Sequence, residues 1–427
     1  MSIKVLTYQE HERQRPISNT FYLKETAYSA FFQKTHRGKT NQQPCFEIKK
    51  QPPNIACSID SSYFVGLDWL DPKQSAISIQ PKLDNKDYQI DLFQMLHQAL
   101  ERPDALIHLD QLLQIDWKAP TIPVAQESDF LTPLLSISYL GILKNIVRKG
   151  LQKRSRPVQK NLHAKVKGKV LVSRSIKKNL MQHKASHTFC KYPEHGLNTA
   201  ENALLKKALL LVNKNLLNRV QAKDQMTLAN NLSYLNHAFK KVSPNVQLKG
   251  LKSIQPNHFY PEYRTALQMA QLIINYVNVA FNPSQKNKIQ VPPYWIDMSK
   301  LFELYVLGLL KDRFHEKVQY QVRYRGNELD YLLNAPNYKM VVDAKYKPIY
   351  QTGKVKEDIR QLSGYARLNK VHQALSVAPN QKIDCLVVYP NQENGWDQLS
   401  EVNLKATKVK DYTHTYKLGV KLPVRKI

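Results

Sequence analysis

The chain has 427 residues, of which 42% are hydrophobic; 63 are Lys or Arg and 34 are Asp or Glu, so the formal net charge is +29. This length allows two or three domains with cores of their own, and this composition is that of a globular protein and not of a disordered chain. So large a positive charge favours nucleic acid as a partner over a membrane surface, because no basic amphipathic helix with an exposed aromatic face is apparent.

Targeting and membrane signals are weak. The first 15 residues contain no apolar core of a signal peptide. The most apolar segment, Thr132–Val147, is short and contains Lys144, so it predicts a buried helix, not a membrane span. We therefore expect a cytoplasmic protein without membrane contact, whose cysteines, none in a CxxC pair, are reduced thiols: Cys45, Cys57, Cys190 and Cys385.

The first predicted domain, residues 1–125, is β-rich. Short β-branched runs alternate with turn formers, and Phe64–Asp84 reads as two strands around an Asp-Pro-Lys-Gln turn. A helix is predicted near Tyr88–Leu100. Gly38-Lys39-Thr40 resembles the end of a P-loop, but Gln33 stands where its first glycine belongs and no strand is predicted before it. We expect this chain to bind no nucleotide.

The second predicted region, residues 126–290, is helical and basic. Thr199 is a candidate N-cap for a helix whose apolar side chains recur at helical spacing: Ala203, Leu204, Ala208, Leu211 and Val212. Pro261–Phe281 repeats this pattern. The His and Cys residues at zinc-like intervals do not favour a zinc site, because only one is a cysteine and the segment is basic: His183, His187, Cys190 and His195.

A long stretch of this region lacks acidic residues, from Asp129 to Glu194. Its centre, Arg148–Lys184, predicts a surface that follows the phosphates of DNA without reading bases. A solvated charged face is the simpler interpretation of a shorter run. The predicted DNA-binding residues are Arg148, Lys149, Lys153, Arg154, Arg156, Lys165, Lys167, Lys169, Lys177 and Lys178.

The third predicted domain, residues 291–427, has the order helix, strand, strand, helix, strand of an α/β domain. Asp330 is predicted to end one strand and Asp343 lies on the next, where strand alternation directs Asp343 and Lys345 to the same side. Two close carboxylates repel each other unless a cation binds, and Mg²⁺ prefers oxygen ligands. A surface ion pair is the alternative for an Asp-x-Lys pattern alone.

Two flanking helices supply further candidates. Asp297 is a predicted N-cap, and the helix after it has an apolar stripe: Met298, Leu301, Phe302, Tyr305, Val306 and Leu309. Glu303, at the edge of this stripe, could place a third carboxylate near the metal. Gln361, on the helix after the strands, could orient a water or a phosphate. The predicted catalytic set is therefore Glu303, Asp330, Asp343, Lys345 and Gln361, with the first three as metal ligands.

These residues resemble the PD-(D/E)XK nuclease pattern, and more specifically the McrC subunit of McrBC-type restriction systems. WIDMSKLFELYV, FVGLDWL with ISIQPKL, and the basic segment with Lys167-Gly168-Lys169 are similar to motifs of that family in the same order. The likeness extends from about residue 63 to 370. Leu329 stands where the name of the pattern implies a proline.

The resemblance implies an α+β multidomain protein with a β-rich N-terminal domain, a helical basic middle region and a C-terminal α/β PD-(D/E)XK nuclease domain. It implies a Mg²⁺-dependent endonuclease subunit, with Mn²⁺ as a substitute ion, in antiviral defence. It further implies binding to a McrB-like AAA+ GTPase ring, stimulation of its GTP hydrolysis, cleavage of double-stranded, modified or foreign DNA, and transient self-dimerisation. The alternative is a basic DNA-binding adaptor that activates the GTPase but does not cut.

Overall fold

The computed structural model describes residues 3–17, 27–36, 39–51, 56–71, 74–100, 111–125, 131–216, 222–245, 261–280, 288–324 and 326–426. The chain forms two compact units: the first joins Met1–Gly141 to Val279–Ile427, and the second is Ile142–Asn278. The predicted first and third domains thus share one unit, and the second unit lies within the predicted middle region. The assignment of partner binding, DNA binding and catalysis to three domains stays a prediction.

The described residues form a mixed α and β fold with several sheets, which agrees with a multidomain α+β protein. In chain order the strands are β1 (Lys4–Gln9), β2 (Arg15–Ile17), β3 (Ala27–His36), β4 (Lys39–Gln51), β5 (Ala56–Ser61), β6 (Phe64–Asp71), β7 (Ser75–Gln80), β8 (Tyr88–Ile90), β9 (Leu113–Ile115), β10 (Ile122–Ala125), β11 (Arg154–His163), β12 (Lys169–Val170), β13 (His187–Gly196), β14 (Lys288–Val291), β15 (Tyr294–Asp297), β16 (Val318–Tyr324), β17 (Asn327–Ala335), β18 (Tyr338–Ala344), β19 (Asp384–Pro390), β20 (Thr415–Val420) and β21 (Val424–Lys426). The helices are α1 (Leu92–Leu100), α2 (Leu131–Lys149), α3 (Val172–Lys178), α4 (Ala200–Leu216), α5 (Ala222–Ala238), α6 (Pro261–Ala280), α7 (Met298–Phe314), α8 (Lys356–Ala366) and α9 (Asn369–Leu375).

Two sheets build the N-terminal part of the first unit, with strand orders β1-β7-β6-β15-β9 and β2-β5-β4-β3. One core cluster contains side chains from both, among them Phe32, Phe46 and Phe64. The predicted strand pair is β6 and β7, which are antiparallel, and the predicted helix after it is α1, preceded by the short β8. A strand, β3, does precede Gly38, and Lys39-Thr40 begin another strand instead of the helix that follows a P-loop.

Close backbone contacts join the C-terminal third to these sheets. β15 pairs antiparallel with both β6 and β9. A Cβ on Gly66 would lie 2.1 Å from the carbonyl oxygen of Tyr294, so only glycine permits this pairing. A Cβ on Gly308 of α7 would likewise lie 2.9 Å from the carbonyl oxygen of Gln98 on α1. Because the two parts share a sheet, experiments on function need the full chain.

The C-terminal part of this unit contains the sheet β16-β17-β18-β19-β20. Its first three strands are antiparallel, whereas β18, β19 and β20 are parallel. The predicted elements correspond to α7, β17, β18, α8 and β19, but β16 comes between α7 and β17, and α9 between α8 and β19. Asp297 caps α7 by accepting a hydrogen bond from the N–H of Lys300 at 3.0 Å, and the whole predicted stripe of α7 is buried.

The second unit combines α4, α5 and α6 with the sheet β11-β13-β12. The predicted cap is confirmed, since the N–H of Asn202 donates a hydrogen bond to Oγ1 of Thr199 at 3.1 Å. The prediction of a helical basic segment is wrong for residues 154–163 and 187–196, where β11 and β13 pair over ten residues, whereas α3 between them is helical. These strands contain few apolar side chains, Cys190 and Tyr192 being buried on β13, so their alternation is hidden in the sequence.

The apolar segment Thr132–Val147 lies in α2, most of whose described side chains are buried, as predicted. None of the described helices has the length and apolar character needed to cross a membrane. All four cysteines are buried and unpaired.

Candidate active site

The hairpin of β17 and β18 brings Asp330 and Asp343 together. Its register pairs Tyr331 with Val342, so one further step sets the two aspartates opposite each other. The main-chain N–H of Ala344 donates a hydrogen bond to Oδ2 of Asp330 at 2.9 Å. Asp330 is the fourth of nine residues in β17, not its end as predicted, because the strand continues to the tight turn before β18.

Burial and repulsion disfavour the charged forms of these carboxyl groups. Burial, followed by the charges of Asp343 and Glu303, raises the pKa of Asp330 well above its ordinary value. Burial also raises the pKa of Asp343, although the ion pair with Lys345 and a hydrogen bond with Asp330 lower it. Asp343 is 5% exposed, and Asp330 is half-buried. A bound cation would relieve this repulsion, so the pair meets the electrostatic condition of a metal site.

Lys345 is held beside Asp343, as predicted. Its Nζ lies 2.8 Å from Oδ2 of Asp343, and its main-chain N–H donates to the carbonyl oxygen of Val388 on β19 at 2.8 Å. Burial lowers the pKa of Lys345. The neighbouring carboxylates, Asp343 above all, together raise this pKa by more than burial lowers it, so the net pKa lies above its ordinary value. Lys345 is therefore a cation at neutral pH, suited to stabilising negative charge and not to removing a proton.

Glu303 approaches the aspartates from α7, since its charge contributes to the raised pKa of Asp330. Its carboxylate also accepts a hydrogen bond from Nζ of Lys300 at 3.0 Å. Within the described ranges, no three His, Cys, Asp or Glu side chains are grouped closely enough to hold a metal ion in this arrangement. Asp330 and Asp343 thus offer a two-carboxylate site. Such a site fits Mg²⁺, which binds through one or two carboxylates and keeps several waters.

Gln361 does not join the aspartates in this structure. It is exposed on α8, and its Nε2 donates a hydrogen bond to the hydroxyl of Tyr365 at 2.8 Å. Asp358, one turn earlier on α8, acts on the site through its charge, which raises the pKa of both Asp343 and Lys345. A direct role for Gln361 stays a prediction.

Asp358 anchors a second lysine that the sequence reasoning missed. Nζ of Lys347 lies 2.9 and 2.8 Å from the two carboxylate oxygens of Asp358, and the hydroxyl of Tyr350 donates to Oδ2 at 2.9 Å. A sequence signal for Lys347 existed, because it follows Lys345 by two residues, the period of a strand face. For Tyr350 the local sequence offers no comparable signal.

Tyr346, between the two lysines, is held by residues from the start of the chain. Its hydroxyl donates a hydrogen bond to Oε1 of Glu10 at 2.8 Å. Nζ of Lys82 donates to the carbonyl oxygen of Tyr346 at 2.8 Å and lies 3.9 Å from the centre of its ring. Glu10 follows β1 and Lys82 follows β7, so the N-terminal sheet positions the segment that carries Lys345.

The buried carboxyl of Glu10 makes stability depend on pH. Burial raises the pKa of Glu10 to about 7 from an ordinary value of 4.5. The folded protein therefore keeps a proton that the unfolded chain has lost within this window, so the free energy of unfolding falls as the pH rises from 4.5 to 7. The shift corresponds to about 3 kcal/mol. We expect Glu10→Gln to make the measured decline shallower by this contribution, as determined by urea unfolding between pH 4 and 8.

A matched control for this substitution is Glu357→Gln, which removes an exposed carboxylate from the first turn of α8. This variant should retain the decline of the wild type. An equally steep decline in Glu10→Gln would show that Glu10 is not the group responsible.

The predicted DNA-binding side chains are exposed on several elements of the basic segment. Arg154 forms an ion pair with Glu201 on α4 at 2.7 Å, which gives it a structural role. The side chain of Arg156 lies outside the described residues, although its backbone belongs to β11. The exposed members are Arg148, Lys149, Lys153, Arg154, Lys165, Lys167, Lys169, Lys177 and Lys178.

The four residues of the zinc-like group differ in exposure. Cys190 is fully buried on β13, whereas His183 and His195 are exposed.

Comparisons with known proteins agree with the motifs. The family model described as McrBC 5-methylcytosine restriction system component matches residues 64–390. No match was found among the curated proteins. A solved half-complex from a tetradecameric assembly of Thermococcus gammatolerans McrB AAA+ hexamers with bound McrC is similar over 86% of this chain and 78% of that chain, with 16% identity and a TM-score of 0.36. The T. gammatolerans McrBC complex is similar over 64% of this chain and 70% of that chain, with 17% identity and a TM-score of 0.31.

Proposed function

The chain belongs to the family of McrBC 5-methylcytosine restriction system components, and from this premise we propose that it is the Mg²⁺-dependent DNA endonuclease subunit of such a system. The observation that carries the proposal is the meeting of Asp330, Asp343 and Lys345 at one place on β17, β18 and the segment after them. The sheet with its flanking helices would then be a PD-(D/E)XK nuclease domain.

The side chains divide the chemistry between them. A Mg²⁺ ion, with Mn²⁺ as a substitute, would lower the pKa of a bound water and stabilise charge on the scissile phosphate. Asp330 and Asp343 would hold the ion, and Glu303 would join them once released from Lys300. Lys345 stays protonated and offsets the negative charge that develops in the transition state.

The family resemblance supports the rest of the proposal. The partner would be a McrB-like AAA+ GTPase ring, whose GTP hydrolysis this chain stimulates through its N-terminal part while binding no nucleotide itself. The substrate would be double-stranded, modified or foreign DNA in the cytoplasm. The resemblance also implies that both strands are cut when two nuclease sites meet, so two copies of the chain would pair transiently through this domain.

The test is plasmid cleavage by the full chain with the partner ring. We expect cleavage only when GTP and Mg²⁺ are both present, and its loss on addition of EDTA. Turnover of GTP by the ring is measured in the same samples. A chain that raises GTP turnover but yields no cut DNA with either Mg²⁺ or Mn²⁺ would instead be a non-cleaving adaptor.

A further inference from the structure

A row of apolar side chains is exposed on the basic segment of the second unit. Val172, Ile176 and Leu180 recur at intervals of four residues, along α3 and into the turn after it, and Met181 follows. Their exposed fractions are 61%, 45%, 60% and 73%. Single exposed apolar residues are ordinary, but a row at helical spacing marks a contact surface. We call these four residues the apolar ridge.

The amphipathicity of α3 is reversed, because its polar side faces the protein. Oγ of Ser175 accepts a hydrogen bond from the N–H of Phe189 on β13 at 2.9 Å. Asn179, just after α3, is buried and donates through Nδ2 to Oδ1 of Asn161 at 2.8 Å and to the carbonyl oxygen of His187 at 2.9 Å. These bonds attach the helix to the sheet and leave the apolar ridge facing solvent.

The surroundings of the apolar ridge are cationic. The sequence from Asp129 to Glu194 has no acidic residue between these two. The exposed cations within residues 165–184 are Lys165, Lys167, Lys169, Arg174, Lys177, Lys178 and Lys184. The partner of this surface must therefore carry dense negative charge together with apolar area. Duplex DNA offers both, since its phosphates flank base edges that apolar wedges can contact.

We propose that the apolar ridge is a wedge that enters the minor groove of bound duplex DNA and unstacks a base step, while the surrounding lysines hold the flanking phosphates. This inference rests on the proposed DNA binding and adds the way in which the duplex is bound. Apolar side chains that enter a base step kink the duplex, and a kink brings more phosphates within reach of the surrounding lysines.

The experiment compares the full chain with a variant in which Val172, Ile176 and Leu180 are changed to Ser and Met181 to Gln. Binding is measured to duplexes containing 2-aminopurine, whose fluorescence rises when its step unstacks, and bending is measured by energy transfer between labelled ends. We expect wild type to raise both signals and the variant to lose them, with about tenfold weaker binding and a shallower salt slope, because the unkinked duplex presents fewer phosphates to the lysines. Because the changed side chains are exposed, the urea unfolding midpoint should not change.

A control variant changes Leu210 and Tyr234, exposed apolar residues of the same unit outside the basic segment, to Ser. It should keep wild-type affinity and fluorescence. If the ridge variant keeps both DNA signals and the wild-type affinity, the inference is wrong while the proposed DNA binding stands. If the ridge variant instead loses self-association in sedimentation or binding to the partner ring, with DNA signals intact, the surface is a protein interface. Absence of DNA binding by the wild type would refute the proposed function and the inference together.

Discussion

Replacing Asp343 by Asn in the full chain should lower Mg²⁺-dependent DNA cleavage at least about 100-fold, since even residues behind the metal ligands cost 10–100-fold when changed. The substitution keeps the size of the side chain but removes the charge that pairs with Lys345 at 2.8 Å and would hold the ion. DNA affinity should stay within about twofold, because the basic segment lies in the other unit. Cleavage is measured with the partner ring, GTP and Mg²⁺.

A second readout does not depend on activity. Mg²⁺ that binds only the folded protein raises the unfolding temperature, by an amount that grows with the logarithm of the Mg²⁺ concentration above the dissociation constant. Asp343→Asn should abolish this increase. The matched control is Asp384→Asn on the neighbouring strand β19, where Asp384 pairs with His414 and lies opposite Met340, three residues before the site. Near-normal cleavage by Asp343→Asn, or equal loss in both variants, would remove the basis for this site.

Changing Lys165, Lys167 and Lys169 together to Ala should weaken binding to every duplex alike. Each lysine that neutralises a phosphate contributes about 0.9 to the slope of log affinity against log salt, so the loss of three would flatten the slope by up to about 2.7. Between 50 and 200 mM salt, this amounts to roughly a 40-fold smaller loss of affinity than in wild type. Titrations over a salt series with unrelated duplex sequences provide the measurement.

The matched control for this variant removes three exposed lysines from the first unit, Lys370, Lys382 and Lys408. Lys382 comes just before β19, and Lys408 bridges to Tyr416 of the edge strand β20, two strands from β18. We expect the control to keep the wild-type slope. Equal salt slopes for the two variants would mean that DNA affinity depends on the net charge of the chain and not on the basic segment.

Local sequence patterns were sufficient to predict a structural feature wherever the residues that form it are neighbours in the chain. The hairpin around residues 334–337 and the cap of α7 by Asp297 both follow from contacts within a few residues. The same holds for Asp343 and Lys345, since strand alternation alone places them on one side. Asp330 was predicted at the site because the short turn makes the pairing of β17 with β18 nearly unavoidable.

The sequence alone could not place residues whose partners are distant in the chain. The sequence around Gln361 predicts the same helix whether its side chain faces the aspartates or Tyr365. Only the packing of the helix decides which of the two it contacts. The strands β11 and β13 are too polar to show the alternation of apolar and polar residues that is typical of a strand. The middle region was therefore predicted to be helical. On α3 the apolar spacing was visible, but burial of such a row is the usual outcome, and only the sheet contacts of Ser175 and Asn179 show that it faces outward.

By itself, then, the sequence determined the family, the acidic pair with its lysine and the basic segment, because each is written in adjacent or regularly spaced residues. Only the tertiary structure decided that Glu10 and Lys82 hold Tyr346, across separations of 336 and 264 residues. It also decided that β15 completes an N-terminal sheet. The physical reason is that pairing between distant segments depends on the shapes of both segments and on their unsatisfied polar groups. The spacing of residues within one segment contains no information about the other segment.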